Sequence, residues 1–264
     1  MPGMPEIIRI TSDHNTSTRP GGIDYIAIHY TAGYDSRRGK ARDNAYYYAE
    51  TKVKASADFF VDDAEIVQYN PAPEKRFCWA VGAASPDKSQ GGGTLWGKAR
   101  NANVVSVEIC SRHENGRGDY PPNDPGYSFS NEAVENAIAL VRYLMLEYNV
   151  SRSRVIRHFD VTGKICPGII GWNEPSGSTA SWQAFKKRLV AVDPEPEPDR
   201  YNAVYECPSW AKPTIRKLCD AGYLQGNGGP VDVNGRPADL DLSLDMLRLF
   251  VVNDRAGCYD GGAT

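Results

Sequence analysis

The run Asp193-Pro-Glu-Pro-Glu-Pro-Asp199 constrains the fold more than any other feature of the chain. Alternating prolines remove backbone donors and block a helix, and the acidic residues between them repel one another. Such a segment is extended and fairly stiff, so no helix or central strand passes through it. The 264 residues therefore divide into a domain over 1–192, a linker over 193–199 and a module over 200–264. The linker holds four acidic residues against a net charge of −3 for the whole chain, so neither flanking body is strongly charged. A near-neutral domain points to a site built from specific groups, and it argues against nucleic acid as a partner.

Hydrophobic residues at 41% and charged residues at 24% exclude a mainly disordered chain. No apolar run is long enough to span a membrane. The N-terminal residues MPGMPEIIRITSDHNTS lack a basic stretch followed by an apolar core, so no signal peptide is expected. Six cysteines are too sparse for a disulfide scaffold, and with only four histidines each candidate ligand can be weighed singly.

Within the first domain, strand and helix patterns alternate. Ile23 to Tyr30 is β-rich and apolar, as a buried strand requires. Lys40 to Glu50 reads as a helix, and Phe59-Phe60-Val61 and Glu65 to Tyr69 as two strands around a turn. Val104 to Cys110 is a further strand, with Val105, Val107 and Ile109 on one face and Glu108 on the other. After Ser130, Val134, Ile138, Val141, Met145 and Tyr148 recur at helical spacing. Val155 to His158 forms a short strand, and Trp182, Phe185 and Leu189 mark a last helix. The alternation predicts an α/β domain with helices packed on a central sheet.

The chemistry concentrates in His158-Phe-Asp-Val-Thr-Gly-Lys-Ile-Cys-Pro-Gly168, read as a loop following a strand. Imidazole and thiolate are both zinc ligands, and a loop of this length can turn them toward one ion. His29 also ends an apolar strand and is the natural third ligand. Equally, it reads as a hydrogen-bonded strand-end histidine. Two histidines and one cysteine would leave the fourth tetrahedral position open, as a hydrolytic zinc site needs. His113, in Ser111-Arg-His-Glu-Asn-Gly-Arg-Gly118, is expected in an exposed loop. Gly91-Gly92-Gly93 is expected to form a mobile loop that sets Trp96 at the rim of the site.

Four blocks in order carry a resemblance: IAIHYTAG around His29, SADFFVDD at 56–63, VSVEIC around Glu108 and HFDVTGKICPG at 158–168. Over residues from about 20 to about 190 the chain resembles the zinc-dependent N-acetylmuramoyl-L-alanine amidases, the type-2 amidase and peptidoglycan-recognition family, and within it phage endolysins and related autolysins. The resemblance implies a central mixed β-sheet flanked by helices, with a small, mainly helical C-terminal module attached. It implies Zn2+ on His29, His158 and Cys166, and bacterial peptidoglycan as substrate. The bond cut would be the amide between N-acetylmuramic acid and L-alanine of the stem peptide. It places Lys164 where it can stabilise the oxyanion and Glu108 where the family's general base stands, or where it orients a ligand. Asp160 would support a ligand from behind or simply cap the turn. The family's catalytic tyrosine, where present, lies in the block that here reads Ala57-Asp58, which shifts the proton-transfer role toward Glu108. Recognition proteins of the family that do not cleave lack the thiolate ligand, so Cys166 sets this chain with the enzymes.

In the tail, Ser209 and Ser243 read as helix caps, Gly222 and Gly257 as helix ends, and Gly226 to Gly235 as a loop. Segments around Tyr205 and Tyr223 resemble surface-layer-homology repeats, which bind wall polymers. Residues 200–264 are therefore expected to hold a cell-wall polymer, and a small helical dimerisation or stabilising module is the competing reading. The phage resemblance implies an enzyme kept in the host cytoplasm until a holin opens the membrane.

Overall fold

A computed structural model of the chain describes residues 4–82, 92–189, 200–208 and 210–260. The expected linker 193–199, Gly91 and the expected cap Ser209 lie outside the described residues. The chain divides into two compact units, Met1–Val190 and Ala191–Thr264.

The first unit is built on strands β1 (Ile7–Arg9), β2 (Thr16–Thr18), β3 (Tyr25–Tyr30), β4 (Phe59–Val61), β5 (Ile66–Gln68), β6 (Arg76–Cys78), β7 (Val104–Ile109), β8 (Arg112–His113), β9 (Tyr127–Ser128) and β10 (Val155–Arg157). Its helices are α1 (Lys40–Glu50), α2 (Asn131–Glu147), α3 (His158–Thr162) and α4 (Ala180–Arg188). Six strands form one sheet in the order β1-β5-β4-β7-β3-β10. β4, β7, β3 and β10 run parallel, and β5 turns back antiparallel to β4 with β1 beside it. The sheet is therefore mixed, and its parallel strands read as near-continuous apolar runs because both faces are covered.

Register fixes which side chains share a face. Phe60, Glu108 and His29 stand opposite one another across β4, β7 and β3. Phe60 and Val67 pack with Ala41 and Ala45 of α1. Alternation leaves Val105, Val107 and Ile109, all fully buried, on the other face, where α2 covers the strands. α2 begins where expected: Ser130 Oγ accepts the Ala133 N–H at 3.1 Å. Asp58, fully buried, accepts the Ser106 N–H at 2.7 Å and an Asn70 amide hydrogen at 2.6 Å. It ties the start of β4 to the middle of β7, so this position does structural work in the present chain.

Two expectations are corrected. His113 is buried in β8, stacked on Tyr120 with centroids 3.4 Å apart and with Nε2 3.0 Å from Asp124. The aromatic stack and the acid satisfy the imidazole without solvent. The segment at Gly93 lies against α3 instead of hanging free. Its N–H donates to Val161 O at 3.0 Å, and a Cβ there would clash with the Asp160 carbonyl. Trp96 is half-buried and packs against Ala27, Val104, Ile156 and Val161.

The second unit holds α5 (Lys212–Asp220) and α6 (Leu244–Arg255), which pack together. Tyr201, Val204, Ile215, Leu218, Leu242, Leu247 and Val251 form its core. Ser243 caps α6 by accepting the Met246 N–H at 3.2 Å, and Gly222 and Gly257 follow the two helices with φ of 75° and 76°.

Candidate metal centre

β3, β7 and β10 run in the same direction, so their carboxyl ends lie side by side, where open α/β sheets place their sites. His29 is the penultimate residue of β3 and faces Glu108 of β7 in register. Arg157 of β10 pairs with Ile28, which brings His158 alongside His29. The two imidazoles meet edge to face with centroids 4.9 Å apart.

His158 does not sit in an open loop as expected. It begins the single-turn helix α3, because Asp160 closes a capping box on Arg157: its Oδ2 accepts the Arg157 N–H at 2.7 Å. Gly163, with φ 77°, ends that turn and sends the chain back. Cys166 then returns to the site, its carbonyl accepting the Phe159 N–H at 3.0 Å. Pro167 O is held by the Asn173 amide at 2.7 Å. A Cβ at Gly168 would meet the end of the Tyr30 side chain, so glycine lets the loop lie against that ring without displacing it.

The result is a buried group of His29, His158 and Cys166 whose ligand atoms all lie within 4.8 Å of one another. Cys166 Sγ is 3.7 Å from His29 Nδ1. Two ligands of one tetrahedral zinc stand about 3.5 Å apart, given bond lengths of about 2.3 and 2.1 Å. The donor set, two imidazoles and one sulfur, suits zinc and leaves a fourth position open. A further atom fits the water of such an ion: Glu108 Oε2 is buried and, among the described residues, lacks a hydrogen-bond partner.

Electrostatics prepare the histidines. Burial, then the positive charges nearby, push His29 well below its ordinary value and His158 down to about 3. Both are neutral near pH 7, as ligands must be. Burial raises the Cys166 thiol, against the pull of the Tyr30 N–H and Lys164. Metal binding would therefore release a proton from it. Burial also lifts the Glu108 carboxyl to about 8, partly opposed by Lys164. The 3.9 Å approach of Glu108 to His29 is thus a contact between neutral groups and not an ion pair. The Lys164 side chain is exposed, yet its charge acts on all four of these groups.

Asp160 performs the second of the two jobs weighed for it. It caps α3 and binds the Arg157 guanidinium, and it makes no hydrogen bond to either histidine among the described residues. Sequence reasoning missed Arg157. Its buried guanidinium donates to Trp172 O at 2.9 Å and Glu174 at 3.0 Å as well as to Asp160, and it lies 5.4 Å from the Trp182 ring centroid. It fixes the strand-to-helix corner that aims His158. An arginine directly before a candidate ligand, with an acid three residues on, was the available signal.

A family model described as N-acetylmuramoyl-L-alanine amidase matches residues 17–169, more than half of the sequence. The chain belongs to that family. Among curated members, the amidase CwlL of Bacillus licheniformis is 29% identical over 195 residues, 72% of this chain and 48% of that protein. The amidase CwlH of Bacillus subtilis (strain 168) is 32% identical over 195 residues, 73% of this chain and 62% of that protein. The match thus spans about half to three-fifths of these amidases. The solved catalytic domain of the amidase XlyA is 28% identical, with 70% of this chain and 99% of that structure covered at a TM-score of 0.45. His29, Glu108, His158 and Cys166 all fall inside the part of the chain that the family model matches.

Proposed function

We propose that this chain is a peptidoglycan hydrolase that cuts the amide between N-acetylmuramic acid and L-alanine, with zinc held by His29, His158 and Cys166. The observation that carries the reading is the convergence of two neutral histidines, a cysteine and a half-buried glutamate at one sheet end within the family match. Zinc bound there would polarise the scissile carbonyl and acidify the attacking water. Glu108, ionised when the site is loaded, accepts the water's proton and returns it to the departing amine. The Lys164 ammonium, two residues before Cys166, offers positive charge to the oxyanion as it forms.

In the same reading, residues 1–192 are the catalytic domain, 193–199 a stiff spacer and 200–264 an anchor on the wall. Anchoring raises the effective concentration of substrate at the catalytic domain. The setting is lysis of a bacterial cell from within by a phage or prophage product, stored in the cytoplasm until the membrane is opened.

The test is metal analysis of the purified protein, followed by incubation with Gram-positive cell walls. New free amino groups should appear without new sugar reducing ends, stop with a chelator and resume with added zinc. A zinc-loaded protein that releases no amino groups from any wall tested would overturn the hydrolase reading.

A further inference from the structure

Helix α6 buries Leu247 and Val251 in the core of the second unit and turns its other side outward. Met246, Leu249 and Val252 are 38%, 57% and 60% exposed. Beside them runs an open groove of about 350 Å³ lined by Trp210, Arg248, Val251, Val252 and Arg255. The four α6 residues recur at i, i+3, i+4 and i+7, so they form one stripe along the helix. At about 1.5 Å rise per residue the two arginines stand roughly 10 Å apart along the axis. The Trp210 ring, 41% exposed, completes the lining.

The charges of this groove are available to a ligand. Among the described residues, the Arg255 guanidinium and the Trp210 indole enter no hydrogen bond, ion pair or ring contact. Asp254, next to Arg255 in sequence, is drawn away by Lys217 at 2.8 Å and Thr214 at 2.7 Å. Arg248 meets Asp245 at 3.0 Å, but that acid is 89% exposed, and such surface pairs are weak.

We propose that this groove binds a phosphodiester-linked glycopolymer of the bacterial wall. A sugar face lies on Trp210 and Val252, and phosphate oxygens meet Arg248 and Arg255. The chemistry is complementary: guanidinium forks match phosphate, and an indole with an adjacent aliphatic surface accepts the apolar face of a ring. A second copy of the chain fits less well. A two-fold, self-complementary contact through this stripe would set the guanidiniums of one copy against those of the other. The proposal rests on the reading that the second unit holds the wall, and it specifies where and by what chemistry.

The experiment compares binding of the full chain to native Gram-positive walls and to walls stripped of phosphodiester-linked polymers by hydrofluoric acid. It uses a chelator to stop hydrolysis and a series of NaCl concentrations. The expected result is binding to native walls that weakens with salt, and at least tenfold weaker binding to stripped walls. Trp210→Ala and Arg255→Gln should each weaken binding to native walls about tenfold, the scale of one lost charge-assisted contact. Trp210→Phe, which keeps a ring, should lose less. Both side chains are exposed, so unfolding midpoints close to the parent's confirm intact variants. Equal binding to stripped and native walls would overturn the proposal and leave wall anchoring standing. So would Trp210→Ala and Arg255→Gln variants that bind native walls as the parent does. Binding to neither wall would overturn both readings. Self-association that is abolished by Val252→Glu would assign the groove to a second copy and overturn the proposal as well.

Discussion

Replacing Glu108 with glutamine should move stability and activity in opposite directions. The carboxyl ordinarily titrates at 4.5, and in the metal-free fold it is raised to about 8. At pH 7 an unfolded chain ionises this group while the fold holds it largely protonated. Folding therefore carries a cost that grows over the interval from 4.5 to pH 7. At about 1.4 kcal/mol per pH unit the upper bound is about 3 kcal/mol. The side chain keeps 19% of its exposure, so solvent screening lowers the expected figure to about 1–2 kcal/mol. The sign follows from the direction: for an acid raised in the fold, the cost is absent below the unfolded value and complete above the folded one. Glu108→Gln removes it. Urea unfolding of chelator-treated protein at pH 7 should thus show the variant more stable by about 1–2 kcal/mol, with the gain vanishing near pH 4. The same variant should retain zinc and lose at least about two orders of magnitude in the rate of amino-group release, the scale of a general base. A variant less stable than the parent at pH 7, or a gain that persists in acid, would refute the desolvation argument. Near-normal turnover would remove Glu108 from proton transfer.

Three other changes probe the scaffold and the site. Glu65 is buried and accepts from Arg42 at 2.8 and 2.9 Å, which holds its carboxyl below the ordinary range. Glu65→Gln should cost about 1–2 kcal/mol in urea unfolding at pH 7, with the gap closing as pH falls below the ordinary carboxyl value. Arg157→Lys keeps the charge but not the fork that aims His158. Zinc affinity, read by competition with a chromogenic chelator, should fall about 10- to 100-fold, and unchanged affinity would make Arg157 a purely structural residue. Cys166→Ser should abolish the rise in unfolding temperature that zinc gives the parent protein, as a differential scan with and without the metal will show.

The fold was legible where hydrophobic periodicity was strong. α1 spans the same residues by pattern and by coordinates, and the Ser130 and Ser243 caps hold because their hydroxyls accept the expected N–H groups. The alternation in β7 placed Glu108 opposite the core valines from sequence alone. What escaped depends on contacts distant in sequence. His113 looked exposed among glycines and charges, but Tyr120 and Asp124 enclose it. α3 is a single turn, too short to leave a helical period, and it exists because Arg157 and Asp160 close on each other. His29, His158 and Cys166 were candidates from the sequence, but their meeting at one point depends on the strand order that sets β10 beside β3.

That strand order also sets a timetable for synthesis. His29 leaves the ribosome early, but Cys166, its neighbour in space, follows 137 residues later. At about 5–20 residues per second the interval is on the order of ten seconds. During that time one ligand waits on a strand whose flank β10 has yet to cover. A nascent chain can therefore hold no complete metal site until nearly all of its first unit has been made, so loading and completion of the sheet become the same late event.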